Sequence, residues 1–162
     1  MVYFRAQTDV NLANHLKNAR RNATYSSKTI QNELIQVVGN SIREKIINDI
    51  KAAKFFSILA DEVTDCSNKE QLSLAVRFVD SVDCVIREEF LDFITVERIT
   101  GEALASAILS RLQEWDIPIE NCRGQGYDGA ANMSSSVRGV QSRIREKAQL
   151  AFYIPPIEFM HY

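Results

Sequence analysis

Hydrophobic residues return every four positions along one stretch of the chain: Ile30, Leu34, Val38, Ile42, Ile46 and Ile50. At 3.6 residues per turn this spacing draws a slowly drifting apolar stripe down one side of a helix, so helix is expected from about Lys28 to Ala53. Gly39-Asn40 interrupts the stripe, and Ser41-Ile-Arg-Glu44 has the form of a capping box, in which serine and glutamate satisfy free amides at a helix start. The expectation is therefore two helices meeting near Gly39, or one kinked helix. Upstream, Asp9 to Arg21 suits a shorter helix with Leu12, His15, Leu16 and Ala19 on one side.

The period changes after Ala53. Phe55, Phe56, Ile58 and Leu59 form a short apolar run, which reads as a strand buried on both faces. From Gln71 to Asp80 the pattern alternates, with Leu72, Leu74, Val76 and Phe78 facing one way and Ser73, Ala75 and Arg77 the other. Ser81 to Cys84 is a turn, and Val85 to Val96 a third strand, so three consecutive strands make an antiparallel meander. Thr100 caps a helix from Gly101 to Trp115, with Leu104, Ile108, Leu112 and Trp115 on its buried line. A weak strand leads to Asp128. Ser134 or Ser135 opens a helix over about Ser136 to Ala148, and a last strand covers about Ala151 to Ile154. The order is strand, strand, strand, helix, strand, helix, strand, preceded by helices: an α/β chain with an N-terminal helical region (1–53) and a sheet domain (54–162).

Acids stand at two strand ends. Asp61, Glu62 and Asp65 follow the apolar run at Phe55, and Asp128 follows the strand before the Gly-rich stretch Gly124-Gln-Gly-Tyr-Asp128-Gly-Ala-Ala-Asn132. Taken alone, the first group reads as the polar start of a loop. A carboxylate at the end of a buried strand is also rigidly held and partly desolvated, which suits a metal ligand or a proton carrier.

Composition narrows the classes. A hydrophobic share of 46% in 162 residues marks a core-forming chain with room for one domain and a helical extension. With 19 Lys and Arg against 21 Asp and Glu, the net charge of -2 shows no overall basic character, so any nucleic-acid contact needs a local patch. His15, Lys17, Arg20 and Arg21 are the most basic one, read either as a solvated helix face or as a phosphate contact. No apolar run approaches a membrane span, and the start lacks a signal-peptide core, so an intracellular chain is expected. The three cysteines (Cys66, Cys84, Cys122) are scattered, which speaks against structural zinc and for reduced thiols. Serine or cysteine hydrolysis finds no support: the two histidines lie near the ends and no G-x-S-x-G elbow exists.

Several ordered pieces together carry a resemblance: Thr24-Tyr-Ser-Ser-Lys-Thr-Ile-Gln-Asn-Glu-Leu-Ile35, Phe56-Ser-Ile-Leu-Ala-Asp61-Glu-Val-Thr-Asp65, Glu70-Gln-Leu-Ser-Leu74, Arg87-Glu-Glu-Phe-Leu91 and Arg123-Gly-Gln-Gly-Tyr-Asp-Gly-Ala-Ala-Asn-Met133. They resemble the hAT superfamily of DNA transposases, in particular its zinc finger MYM-type protein 1-like and kinase-inhibitor-repressor-like branches, from the N-terminus to about Tyr153. The resemblance implies a partial ribonuclease H-like fold, with strands one and four side by side and Asp61 brought to Asp128. It also implies that these two are the first two acids of the catalytic triad and ligands of Mg2+ or Mn2+, with Asp65 the alternative for the first. The ancestral activity would be metal-dependent DNA strand cleavage and transfer.

The family's third acid is a later glutamate, and the chain stops before it. From Pro155 on the sequence leaves the family pattern and lacks the expected Cys-x-x-His, and nothing in its spacing supports Glu158 as a substitute. The expected function is a truncated transposase-derived domain, a domesticated or relic one, that is catalytically inactive and retains at most residual DNA or divalent-metal binding. The resemblance places it in the nucleus. The alternative is a protein-interaction domain without chemistry, docking a partner or a second copy through surface left by the missing C-terminal half. A nucleotide-binding module, suggested by the literal Gly124-x-Gly126-x-x-Gly129, ranks last, because Asp128 inside that loop would repel a pyrophosphate.

Overall fold

The structure is a computed structural model that describes residues 2–20, 23, 27–64, 70–128 and 130–155. It divides into two compact units, Met1–Ile42 and Arg43–Tyr162.

The first unit is helical. Helix α1 is Val2–Arg5 and α2 is Val10–Asn18. Asp9 caps α2 by accepting a hydrogen bond from the Leu12 amide at 3.0 Å. Leu12, Leu16 and Ala19 are half-buried, whereas His15, Lys17 and Arg20 are exposed. Arg21 lies outside the described residues. Helix α3 runs without a break from Lys28 to Ala53, so of the two expected forms, two helices meeting near Gly39 or one helix, the chain takes the second. A glycine inside a helix costs about 1 kcal/mol relative to alanine, and the turns on either side carry it. The stripe seen in the sequence divides in its environment: Ile46 and Ile50 are buried, while Leu34, Val38 and Ile42 are more than half exposed.

The second unit is a five-stranded mixed sheet. Strands β1 (Phe56–Thr64), β2 (Glu70–Val79) and β3 (Ile86–Thr95) form the antiparallel meander. Strands β4 (Cys122–Tyr127) and β5 (Phe152–Ile154) add in parallel on the other side of β1, giving the order β3-β2-β1-β4-β5. Helices α4 (Gly101–Glu114), α5 (Ala131–Ser134) and α6 (Val140–Lys147) make the connections on either side of β4. This is a partial ribonuclease H-like fold, as expected.

The core lies on one face of the sheet. Phe56, Ile58 and Ala60 pair in register with Phe78, Val76 and Leu74, and all six are buried with Leu104, Ile108 and Leu112 of α4. Among the described residues strand β1 is therefore covered on one face only, contrary to the two-sided burial expected. Phe55 is 47% exposed and Leu59 half-buried, because alternation turns them to the other face. On that face one register row crosses all five strands: Phe90, Ala75, Leu59, Gly126 and Ile154. The helix expected over about Ser136 to Ala148 is present as α6 but begins only at Val140, behind Gly139, and a single helical turn that was not expected, α5, precedes it. A Cβ on Gly139 would sit 2.6 Å from both the amide nitrogen and the carbonyl oxygen of Ser135, an approach that only glycine permits.

Side-chain pairs tie the edges together. Arg43 donates from Nε to the Leu91 carbonyl at 3.1 Å and pairs with Asp92, which also meets Arg111. Both guanidinium groups lie within 6 Å of the Trp115 ring, at 5.9 and 5.7 Å. Trp115 is thus half-buried at the rim of the core rather than inside it, since it stands at the C-cap of α4, where Asp116 turns the chain with φ 53°.

Candidate functional site

The site is built where two parallel strands end. The β1–β4 pairing runs through Leu59 opposite Gly126 and Ala60 opposite Tyr127. The next residue on each strand is an acid, Asp61 on β1 and Asp128 just beyond β4, so the register brings the two sequence-predicted acids to neighbouring strand ends. Asp61 is exposed on the open face, and its carbonyl accepts a hydrogen bond from Ser73 Oγ at 3.1 Å on β2. Asp128 is exposed, and its Oδ1 accepts from the Ala130 amide at 3.3 Å, an Asx turn that starts the chain toward α5. Asp65, the alternative first acid, and Glu158 lie outside the described residues.

A third acid joins them. Glu62 follows Phe56, Ile58 and Ala60 in the strand alternation, so it turns toward the covered side and is half-buried. Asn132, on the α5 turn, favours its charged form, while its Oε1 is buried with no hydrogen-bond partner. Burial raises its pKa first, and the negative charge of Asp128 raises it further, with smaller contributions from Glu70 and Asp61. Glu62 and Asn132 were not among the expected site residues. The signal for Glu62 was the even-numbered alternation of β1.

Behind the acids, β4 is held by a buried polar clasp. Gln125, 1% exposed, donates from Nε2 to the Ala151 carbonyl at 2.9 Å and to the Gln141 carbonyl at 3.3 Å, and its Oε1 accepts from the Tyr127 hydroxyl at 3.0 Å. One amide thus links β4 to α6 and to the start of β5. The residue that receives this bracing, Tyr127, directly precedes Asp128. Its phenol is pushed well above the ordinary tyrosine range by burial.

The donor set fits a hard divalent cation in kind: carboxylate oxygens from two strand ends, with one further carboxylate oxygen left without a partner. It does not amount to a full cage. Among the described residues no three His, Cys, Asp or Glu side chains converge closely enough to hold a metal. The nucleotide-fingerprint reading loses its footing, because Gly124 and Gly126 are paired residues inside β4 rather than members of a turn after it. Their lack of side chains instead lets β1 approach, since a Cβ on Gly126 would lie 2.7 Å from Leu59 Cδ2.

A mixed sheet in this order, with acids at the ends of its two central parallel strands, defines a ribonuclease H-like domain. Comparison with known proteins agrees. The family model described as the ZMYM1/FAM200 RNase-like domain (DUF4371) matches residues 1–139. The human (Homo sapiens) 52 kDa repressor of the inhibitor of the protein kinase is 36% identical over 133 residues, covering 82% of this chain and 17% of the relative. The mouse (Mus musculus) protein of the same description matches with the same identity and coverage. The chain belongs to the ZMYM1/FAM200 RNase-like domain family, which derives from hAT transposases. It spans 17% of the length of these curated relatives.

Proposed function

We propose that this domain is a transposase-derived module that retains weak divalent-metal binding at Asp61 and Asp128, together with residual affinity for DNA, but does not itself cut DNA. The observation that carries the reading is the register of the parallel β1–β4 pair, which makes Asp61 and Asp128 neighbours at the strand ends. Asp61 supplies oxygens from the open face and Asp128 from the loop after β4. Glu62 stands beside them with its charge disfavoured by burial and by Asp128. Bound there, Mg2+ or Mn2+ would supply Lewis-acid stabilisation to a phosphate oxygen. Two carboxylates leave most positions of an octahedral ion to water, so affinity is low and the two-ion clamp needed for strand cleavage is not assembled. The descent from DNA transposases supports the nucleus as the place where the domain works.

The test is a melting curve with and without millimolar Mn2+, run on the natural chain and on Asp128→Asn, beside a nicking assay on supercoiled DNA. The expected result is a small metal-dependent rise in Tm for the natural chain, none for the variant, and no nicking by either. Metal-dependent nicking that Asp128→Asn abolishes would overturn the inactive reading, and an equal metal response in both proteins would remove the site.

A further inference from the structure

The first unit presents a helix face that nothing else in the described structure covers. Between Ile30 and Ile42, α3 carries Leu34 at 52% exposure, Ile35 at 70%, Val37 at 65%, Val38 at 55% and Ile42 at 56%. These residues lie on one side of the helix, and the uncharged Gln31 and Ser41 are the only polar residues among them. Segments of this length are marginal helices in water and owe their stability to packing of an apolar face.

We propose that this face pairs with the same face of a second copy of the chain, with the two α3 segments antiparallel. Two observations select a second copy. The apolar pattern is symmetric about Gln36: Ile35 and Val37 stand one position to either side, Leu34 and Val38 two, and Ile30 and Ile42 six. An antiparallel copy centred there sets Leu34 at the level of the partner's Val38 and Ile30 at the level of the partner's Ile42, so aliphatic meets aliphatic in each layer. This is the self-complementarity that a two-fold interface requires. The second observation is area. The exposed parts of these side chains amount to roughly 500 Å2 per copy, so a pair buries at most about 1,000 Å2, the lower bound for a specific interface. The interface is of modest size, and the pairing is a concentration-dependent equilibrium.

The test uses the 162-residue chain in sedimentation equilibrium between micromolar and 100 µM concentrations. The natural chain is expected to shift from monomer to dimer across that range. Leu34→Glu alone and Val38→Lys alone are each expected to remain monomeric, with circular dichroism and Tm equal to those of the natural chain at micromolar concentration, where it too is monomeric, because neither touches the buried Ile46 and Ile50. Mixing the two variants is the decisive arm. In the antiparallel pair the new glutamate of one copy faces the new lysine of the other, while the remaining Val38 and Leu34 face each other, so the mixture forms a one-to-one dimer. A natural chain that stays monomeric at 100 µM overturns the proposal, whether a foreign protein or another segment covers the face. So does a dimer that survives both substitutions. A mixture that stays monomeric overturns the antiparallel arrangement.

Discussion

Gln125→Leu tests whether the buried clasp behind Asp128 holds the end of β4. Leucine is close to glutamine in volume and fills the space without polar atoms, so the substitution isolates the hydrogen bonds. It removes the bonds that the Ala151 carbonyl, the Gln141 carbonyl and the Tyr127 hydroxyl make to Gln125 at 2.9, 3.3 and 3.0 Å, the first and last of them fully buried. Each buried polar group left unsatisfied costs about 1–3 kcal/mol. The added apolar burial returns roughly 1 kcal/mol. For the two buried groups the net loss is about 1–5 kcal/mol, a large part of the ~5–15 kcal/mol that holds an ordinary domain together. Tyr127→Phe removes only the hydroxyl and strands Gln125 Oε1, for about 1–2 kcal/mol.

The double variant separates pairwise bonding from general softening. With both partners gone, neither the Tyr127 hydroxyl nor Gln125 Oε1 is left to be stranded, so the combined loss should fall short of the sum by about 2 kcal/mol or more. Urea unfolding followed by the fluorescence of Trp115, the one tryptophan, gives each value by linear extrapolation. A Gln125→Leu loss under about 0.5 kcal/mol, or strict additivity in the double variant, would refute the clasp as a source of stability.

Three further outcomes follow from burial and charge. Glu62 has its folded-state pKa raised by desolvation and then by Asp128, so its ionisation works against the fold. Its contribution is most favourable below the unfolded carboxyl pKa and declines as pH rises through the folded one. Glu62→Gln should therefore raise stability at pH 7 in metal-free buffer and change it less at pH 4. A larger gain at pH 4 would contradict the assignment. Cys122 is buried, with its thiol pushed up to about 11 by desolvation, whereas Cys84 is exposed. Iodoacetamide at pH 8 should label Cys84 and spare Cys122 until the protein unfolds, as read by peptide mass spectrometry. In the core, Phe56→Ala should cost ~3–5 kcal/mol and Ile58→Ala ~2–5, whereas Trp115→Ala should cost less, ~1–3, because the indole is only partly buried against the core. Urea denaturation of the three variants checks the order, and a Trp115 loss as large as that of Phe56 would return the indole to the core.

Which parts of the structure were readable in the sequence depended on whether local pattern and tertiary packing agree. Strand β2 was legible residue by residue because its two faces see different solvents: Leu72, Leu74, Val76 and Phe78 are all buried, and Arg77 is not. Strand β1 was misread because Phe55 and Leu59 are apolar on a face that is not covered, and no periodicity argument separates that from two-sided burial. Helix α3 could be read as two helices or as one kinked helix, and it is one helix. Gly39 and the sequence Ser41 to Glu44 are good local signals for a break, but a stripe in phase on both sides of Gly39 lets one helix run through. The division between α5 and α6 depends on how closely Gly139 approaches Ser135, a tertiary contact with no local signature.

At the site, the placing of Asp61 and Asp128 at neighbouring strand ends was implied by the family resemblance, which set strands one and four side by side, and the β1–β4 register has it so. The part played by Glu62 required only one more step from the same alternation. Counting by twos from Phe56 puts Glu62 on the covered face and Asp61 on the open one, so two adjacent acids enter different environments. Asp61 can reach solvent and a cation from outside, whereas the ionisation of Glu62 is disfavoured by burial and by Asp128, and its Oε1 is buried without a hydrogen-bond partner. The acid whose charge this environment opposes is therefore not the one that the family pattern points to. Asn132, on the α5 turn, acts in the opposite sense and favours the carboxylate, but by less than burial and Asp128 disfavour it.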